Sequence, residues 1–174
     1  QVYHFATHAV VDLLQYENSG IYFQGGETMS YSELYNMHFP AEMVVLSACN
    51  TGIGKLESGE GLMSLSRALT YAGVKASVYS LWQVPDEETS VLMQSFYGFL
   101  DEGKDKEKAL ALAKRKFLAD HPMKQHPYYW AGFVLNGNME ALPRETKWPF
   151  QWYALCLVAV FTVLVFAVIN YRRS

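Results

Sequence analysis

Cysteine is scarce in this chain: Cys49 and Cys156 are the two thiols in 174 residues, and Cys156 lies in an apolar tail. That count and placement exclude a disulfide framework, and a tetrahedral zinc site has too few thiols. Charge of one sign is lacking as well. The formal net charge is −3 and no dense basic cluster marks the globular part, so nucleic acid finds no electrostatic footprint. No G-K-[ST] closes the glycine-rich stretch after Cys49, which argues against a Walker phosphate loop. No internal repeat is visible. No initiator Met and no signal peptide open the chain; Gln1 falls within an apolar, strand-like run, so the expectation is a fragment whose upstream part is missing. What is present is apolar. With 51% hydrophobic residues, the chain holds enough material for one domain with a sizeable core.

The strongest local signal is residues 43–46, M-V-V-L, a continuous apolar run followed by small polar residues. It predicts a buried strand ending in a tight turn. Cys49 stands where that strand runs out, and the carboxyl ends of strands in an open α/β sheet are where ligands bind. A second apolar run, residues 2–6, is followed by His8 in the same way. Two strand ends, one carrying an imidazole and the other a thiol, can meet at one edge of a parallel sheet. A histidine within reach takes the thiol proton, and the thiolate is the reactive species. A small buried core cysteine is the competing reading of Cys49. His4 and His8 would share one face of a strand, but no acidic or thiol partner stands near them in sequence. The expectation is therefore no metal and no cofactor.

The remaining elements read as scaffold. Asn18-Ser19-Gly20 and Gly25-Gly26 bracket an alternating run, residues 21–24, expected as a short edge strand or hairpin. Ser30 with Glu33 is a capping box that opens a short helix to about Met37, and Pro40 then breaks the chain. The glycines beyond Cys49 make sense as turns that let a substrate backbone approach closely. Leu62, Leu65, Leu69 and Ala72 mark a helix with its apolar face on the sheet, stopped by Gly73. Residues 76–84 predict the next strand, and Asp86 is placed to cap a helix over residues 87–100. A further helix is expected over residues 106–118, with Ala109, Leu110, Leu112, Ala113 and Phe117 as its core stripe and its lysines facing water. Tyr128, Tyr129 and Trp130 lead into a last strand, residues 131–135, and either line a cleft or pack the core. Strands alternating with helices predict a mostly parallel sheet covered on both faces.

Four stretches carry a resemblance: F-A-T-H-A, L-S-A-C-N-T-G, S-L-W-Q-V-P-D-E-E-T and H-P-Y-Y-W-A-G-F-V-L-N-G-N. In that order they look like the successive motifs of the CHAT domain, and residues 2–138 resemble that family, which belongs with the caspase- and separase-like cysteine peptidases. The resemblance implies a caspase-like three-layer αβα sandwich over residues 1–140, incomplete at its N-terminus. It also implies a helical-repeat sensor region upstream in the same protein, often tetratricopeptide-like. The implied machinery is a dyad without a third member: Cys49 attacks a peptide carbonyl as thiolate, and His8 serves as base and then as acid for the leaving amine. The backbone N–H groups of Ala9 and Cys49 would form the oxyanion hole, Ala9 standing where caspases carry Gly. In the separase branch an L-W-x-V-x-D motif contributes an acidic residue to the pocket for a basic P1 side chain. Leu81-Trp82-Gln83-Val84-Pro85-Asp86 matches it, which makes Trp82 and Asp86 the S1 candidates, with helix capping as the other reading of Asp86.

The tail is a separate element. From Trp152 to Ile169 every residue is apolar except Thr162, 18 residues without a charge. As a helix that run spans about 27 Å at 1.5 Å per residue, enough with its flanks to cross a bilayer core. Trp148, Trp152 and Tyr153 on one side and Tyr171 on the other fit interfacial belts, and Arg172-Arg173 anchor the exit. The expected organisation is a domain over 1–140, a linker over 141–151 and a single-pass transmembrane helix over 152–171, in a bacterial inner membrane. Arg144 and Lys147 before the span balance Arg172 and Arg173 after it, so the positive-inside rule leaves the side open. The function so implied is a membrane-anchored cysteine endopeptidase acting on a protein or peptide substrate. The alternatives are an inactive membrane-tethered scaffold of the same fold and a cysteine hydrolase of non-peptide esters or amides.

Overall fold

The computed structural model describes residues 1–6, 8–10, 20–23, 25–47 and 58–144, without the side chains of 8–10 and 58–64. All but Pro143 and Arg144 belong to one unit, Gln1–Leu142. The expected transmembrane span over 152–171, most of the linker and Cys49 lie outside the described residues; among the described ones no helix is long and apolar enough to cross a membrane.

Residues 43–46 form β5 (Met43–Leu46), buried at all four positions. An apolar run without alternation is what a strand covered on both faces requires. It lies between β1 (Val2–Phe5) and β6 (Ala76–Ser80), parallel to both, and β7 (Phe133–Gly137) closes the sheet antiparallel to β6. Alternate residues of β5 feed two cores. Val44 and Leu46 pack with Leu65, Ala68 and Leu69 of α2 (Ser58–Tyr71) and Leu34 of α1 (Tyr31–Asn36). Met43 and Val45 face Leu92, Phe96 and Leu100 of α3 (Asp86–Asp101) and Ala109 and Ala113 of α4 (Lys106–Asp120). The result is a mixed α/β domain with a mostly parallel sheet and helices on both faces, an αβα arrangement.

A second sheet is an antiparallel meander of β2 (His8–Val10), β3 (Gly20–Tyr22) and β4 (Thr28–Ser30). Of the two sequence expectations, the hairpin holds, with β3 and β4 joined around Gly25-Gly26, and the edge strand does not. The run around Ile21 is the middle strand of three, because both its edges are paired, and Ile21 is fully buried in the α1–α2 core. The capping box stands as expected: Ser30 Oγ accepts from the Glu33 N–H at 3.2 Å and the Glu33 carboxylate accepts from the Ser30 N–H at 2.7 Å. The Ser30 N–H bond, and then the Ser30 hydroxyl donating to the same carboxylate at 2.7 Å, hold the Glu33 carboxyl below the usual range.

Three boundaries differ from the sequence reading. β6 ends at Ser80, short of Val84; Leu81 N–H donates once more, to Gly132 O at 2.8 Å, and the apolar residues beyond serve packing rather than pairing. β7 starts at Phe133 because Pro127–Tyr129 curls into a 3-10 turn, and it then continues to Gly137. α3 begins at Asp86 itself, so that residue is not its cap: Pro85 holds the cap position and makes no side-chain cap bond.

The lysines of α4 do not all face water. Lys106 is 1% exposed and its Nζ donates to Glu140 O at 2.7 Å. Lys114 Nζ donates to Phe133 O at 2.7 Å and Ala131 O at 3.3 Å, carbonyls at the outer edge of β7. Burial lowers the pKa of both ammonium groups. The Lys106 stem is buried with the apolar stripe of α4 and Lys114 is half-buried, and each amine reaches backbone carbonyls.

Candidate active site

β1, β5 and β6 run parallel, so their carboxyl ends share one edge of the sheet. Register makes this concrete: Phe5 pairs with Leu46, and Leu46 with Tyr79. His8 follows Phe5 by three residues and Cys49 follows Leu46 by three. Cys49 lies outside the described residues. His8 opens β2, paired with Tyr22, and Ala9 is paired with Ile21. The chain therefore leaves the parallel sheet at Phe5 and re-enters extended structure in the meander. His4 and His8 consequently sit on strands of different sheets, which overturns their expected place on one strand face.

The S1 candidates lie beyond the neighbouring strand. Trp82 follows β6, and its Nε1–H donates to Tyr128 O at 2.9 Å. Its indole lies against Gly132: a Cβ there would meet Trp82 Cε2 at 3.1 Å and Val84 Cγ2 at 2.9 Å. Only a residue without a side chain lets the ring approach the backbone so closely. Trp130 is fixed in turn, its Nε1–H donating to Gln125 O at 3.1 Å while its ring packs on the α3–α4 core. Of the three aromatics before β7, Trp130 thus joins the core, and Tyr128 remains 43% exposed.

Asp86 is exposed at the first position of α3. Its neighbours are committed elsewhere. Buried Glu88 pairs with Lys124 at 2.6 Å, and Glu87 approaches the same ammonium at 3.5 Å. The Lys124 ammonium holds the Glu88 carboxyl below the usual range, and Glu88 raises the pKa of Lys124. This pair ties the loop after α4 to the start of α3. Among the described residues Asp86 makes no ion pair, which leaves its carboxylate available to a cationic ligand.

One group at this edge escapes sequence reasoning. His4 Nε2 lies 2.8 Å from Ser47 Oγ, and His4 Nδ1 lies 2.9 Å from the Tyr97 hydroxyl. Partial burial of the ring lowers its pKa, and burial pushes the Tyr97 phenol up to about 12. The partners stand 43 and 93 residues from His4 in sequence. No local periodicity links positions so distant; only the β1–β5 register and the packing of α3 bring them together.

Comparison with known proteins agrees with the motif order. A family profile described as CHAT domain matches residues 1–138. The chain is 29% identical over 110 residues to tetratricopeptide repeat protein 28 of Homo sapiens, and to the protein of that name from Mus musculus. Each match covers 63% of this chain and 4% of the relative.

Proposed function

Because the chain belongs to the CHAT domain family, we propose that it is a membrane-anchored cysteine endopeptidase in which Cys49 is the nucleophile and His8 its base. The observation that carries this reading is the register: Phe5 and Leu46 are partners across parallel strands, with His8 and Cys49 each three residues further on. Adjacent strands lie about 4.8 Å apart, so the segments leading to His8 and to Cys49 leave the parallel sheet from neighbouring strand ends. His8 takes the thiol proton, the thiolate adds to the scissile carbonyl, and the backbone N–H groups of Ala9 and Cys49 receive the oxyanion. The proton on His8 then passes to the leaving amine, and water completes the cycle by hydrolysing the acyl-enzyme.

Trp82 and Asp86 form the wall of the S1 pocket, with Asp86 pairing the guanidinium or ammonium of a basic P1 residue. Residues 152–171 anchor the domain in a bilayer, in a bacterial inner membrane. The relatives are named for tetratricopeptide repeats, in keeping with an upstream helical-repeat sensor that activates this domain.

A peptide-based electrophile tests the reading. In wild type it labels Cys49, and His8→Ala abolishes rapid labelling. Labelling that ignores His8 identifies an inactive scaffold, and small acyl probes that outcompete peptidic ones identify a non-peptide hydrolase. Fractionation tests the anchor: the full chain sediments with membranes and a chain ending at Arg144 does not. An intact chain that stays in the soluble fraction without detergent overturns the anchor.

A further inference from the structure

We propose that Ser47, His4 and Tyr97 form a positioning device for Cys49, a hydrogen-bonded chain that fixes the end of β5 from which the Cys49 segment departs. The inference rests on the reading of Cys49 as nucleophile and deepens it.

Three elements meet in this chain. His4 projects from β1, Tyr97 from α3, and Ser47 directly follows β5, its N–H donating to Phe5 O at 3.2 Å. The rings of His4 and Tyr97 are tilted against each other with centroids 5.8 Å apart. Ser47 precedes Cys49 by two residues. Whatever fixes the Ser47 side chain therefore fixes the origin of the segment bearing the thiol.

The chemistry gives the chain a direction. A neutral imidazole has one donor and one acceptor. When Tyr97 O–H donates to Nδ1, Nε2–H donates to Ser47 Oγ and the serine hydrogen points onward; the other tautomer reverses all three. A protonated imidazole would donate at both nitrogens and break that order. Burial disfavours the charged ring and keeps Tyr97 protonated, so the neutral chain persists at neutral pH. Stability alone gives little reason for it. His4 keeps much of its surface open on β1 while its ring is partly covered, and single hydrogen bonds at such a site add little net free energy. Its effect is to restrain geometry, and geometry is what a nucleophile and its base need: displacement by about 1 Å can cost 10²-fold in rate.

The test uses the full chain with Cys156→Ser, which leaves Cys49 as the one thiol. Two quantities are read: the second-order rate of Cys49 alkylation by iodoacetamide, and kcat and KM on a cleaved peptide. Ser47→Ala and His4→Leu are expected to slow alkylation and lower kcat by about 10- to 100-fold with KM within about twofold. His4→Gln keeps a donor and an acceptor on one side chain and restores most of the loss, at a melting temperature matching His4→Leu. Tyr97→Phe has a smaller effect and adds nothing to His4→Leu, because it acts through the same ring. Unchanged alkylation and kcat in Ser47→Ala and His4→Leu, or independent additive losses from His4 and Tyr97, overturn the proposal. The two readings fail separately. If wild type cleaves no peptide, the peptidase reading falls while alkylation still decides the positioning; if peptides are cleaved but neither rate responds, only the positioning falls.

Discussion

Strands β5 and β6 are buried at every position, whereas β1 alternates between exposed and half-buried residues and the meander strands have three residues each. The strand leading to Cys49 thus runs through the centre of the domain. Its register is fixed from both faces, because a one-residue slip would exchange Val44 and Leu46 with Met43 and Val45 between two filled cores. His8 belongs to the smaller antiparallel sheet, in which Ile21 is fully buried among the described residues. On the proposed reading, the strand that leads toward the nucleophile is the one packed on both faces.

The contrast can be broken from either side. The largest effect is expected at β5. Leu46→Ala removes a fully buried side chain and should cost about 2–5 kcal/mol, with denaturant unfolding showing the whole domain destabilised as one transition. Next comes the meander. Gly20 is buried, and a Cβ there would meet Met29 O at 2.5 Å, so Gly20→Ala forces β3 from β4 at a cost of about 1–3 kcal/mol. Hydrogen exchange should show lost protection in β3 and β4 with β5 and β6 still protected; equal losses in both sheets would erase the distinction between them.

A smaller effect concerns the loop that joins the rigid sheet to α3. Asp86→Asn should lower kcat/KM for substrates with Arg or Lys at P1 by about tenfold, equivalent to about 1.4 kcal/mol. A peptide library profiled with both proteins checks this, and an apolar or acidic P1 preference in wild type would remove Asp86 from the pocket. The smallest effect is on pH. Burial sets the folded pKa of His4 below its ordinary value of 6.5. The unfolded chain then binds the proton more readily, so this contribution to stability is complete above about 6.5 and is lost as pH falls through the lower folded value. His4→Gln should flatten that part of the stability–pH curve, read as the difference from wild type between about pH 7 and 5.

What was legible in the sequence follows the same division. The β5 run, the Ser30–Glu33 box and the Leu65–Leu69 stripe are local patterns with local causes, and they stand where the spacing put them. Lys106 was also within reach. It precedes Ala109, Leu110, Ala113 and Phe117 on one helical stripe and is buried with them, but a charged head is read as solvated unless a carbonyl partner such as Glu140 O is known. The central place of β3 and the His4–Ser47–Tyr97 chain depend on which strands pair and where α3 packs. Short polar strands and single polar residues carry no periodicity that specifies such partners.

Steady-state cleavage of a peptide pool by the full chain, compared with Cys49→Ala and His8→Ala, addresses the central claim most directly. Cys49→Ala should abolish turnover with the fold intact, and His8→Ala should lower it by about 10³-fold or more. Undiminished turnover in a well-folded Cys49→Ala protein would contradict the assignment of Cys49 as the nucleophile.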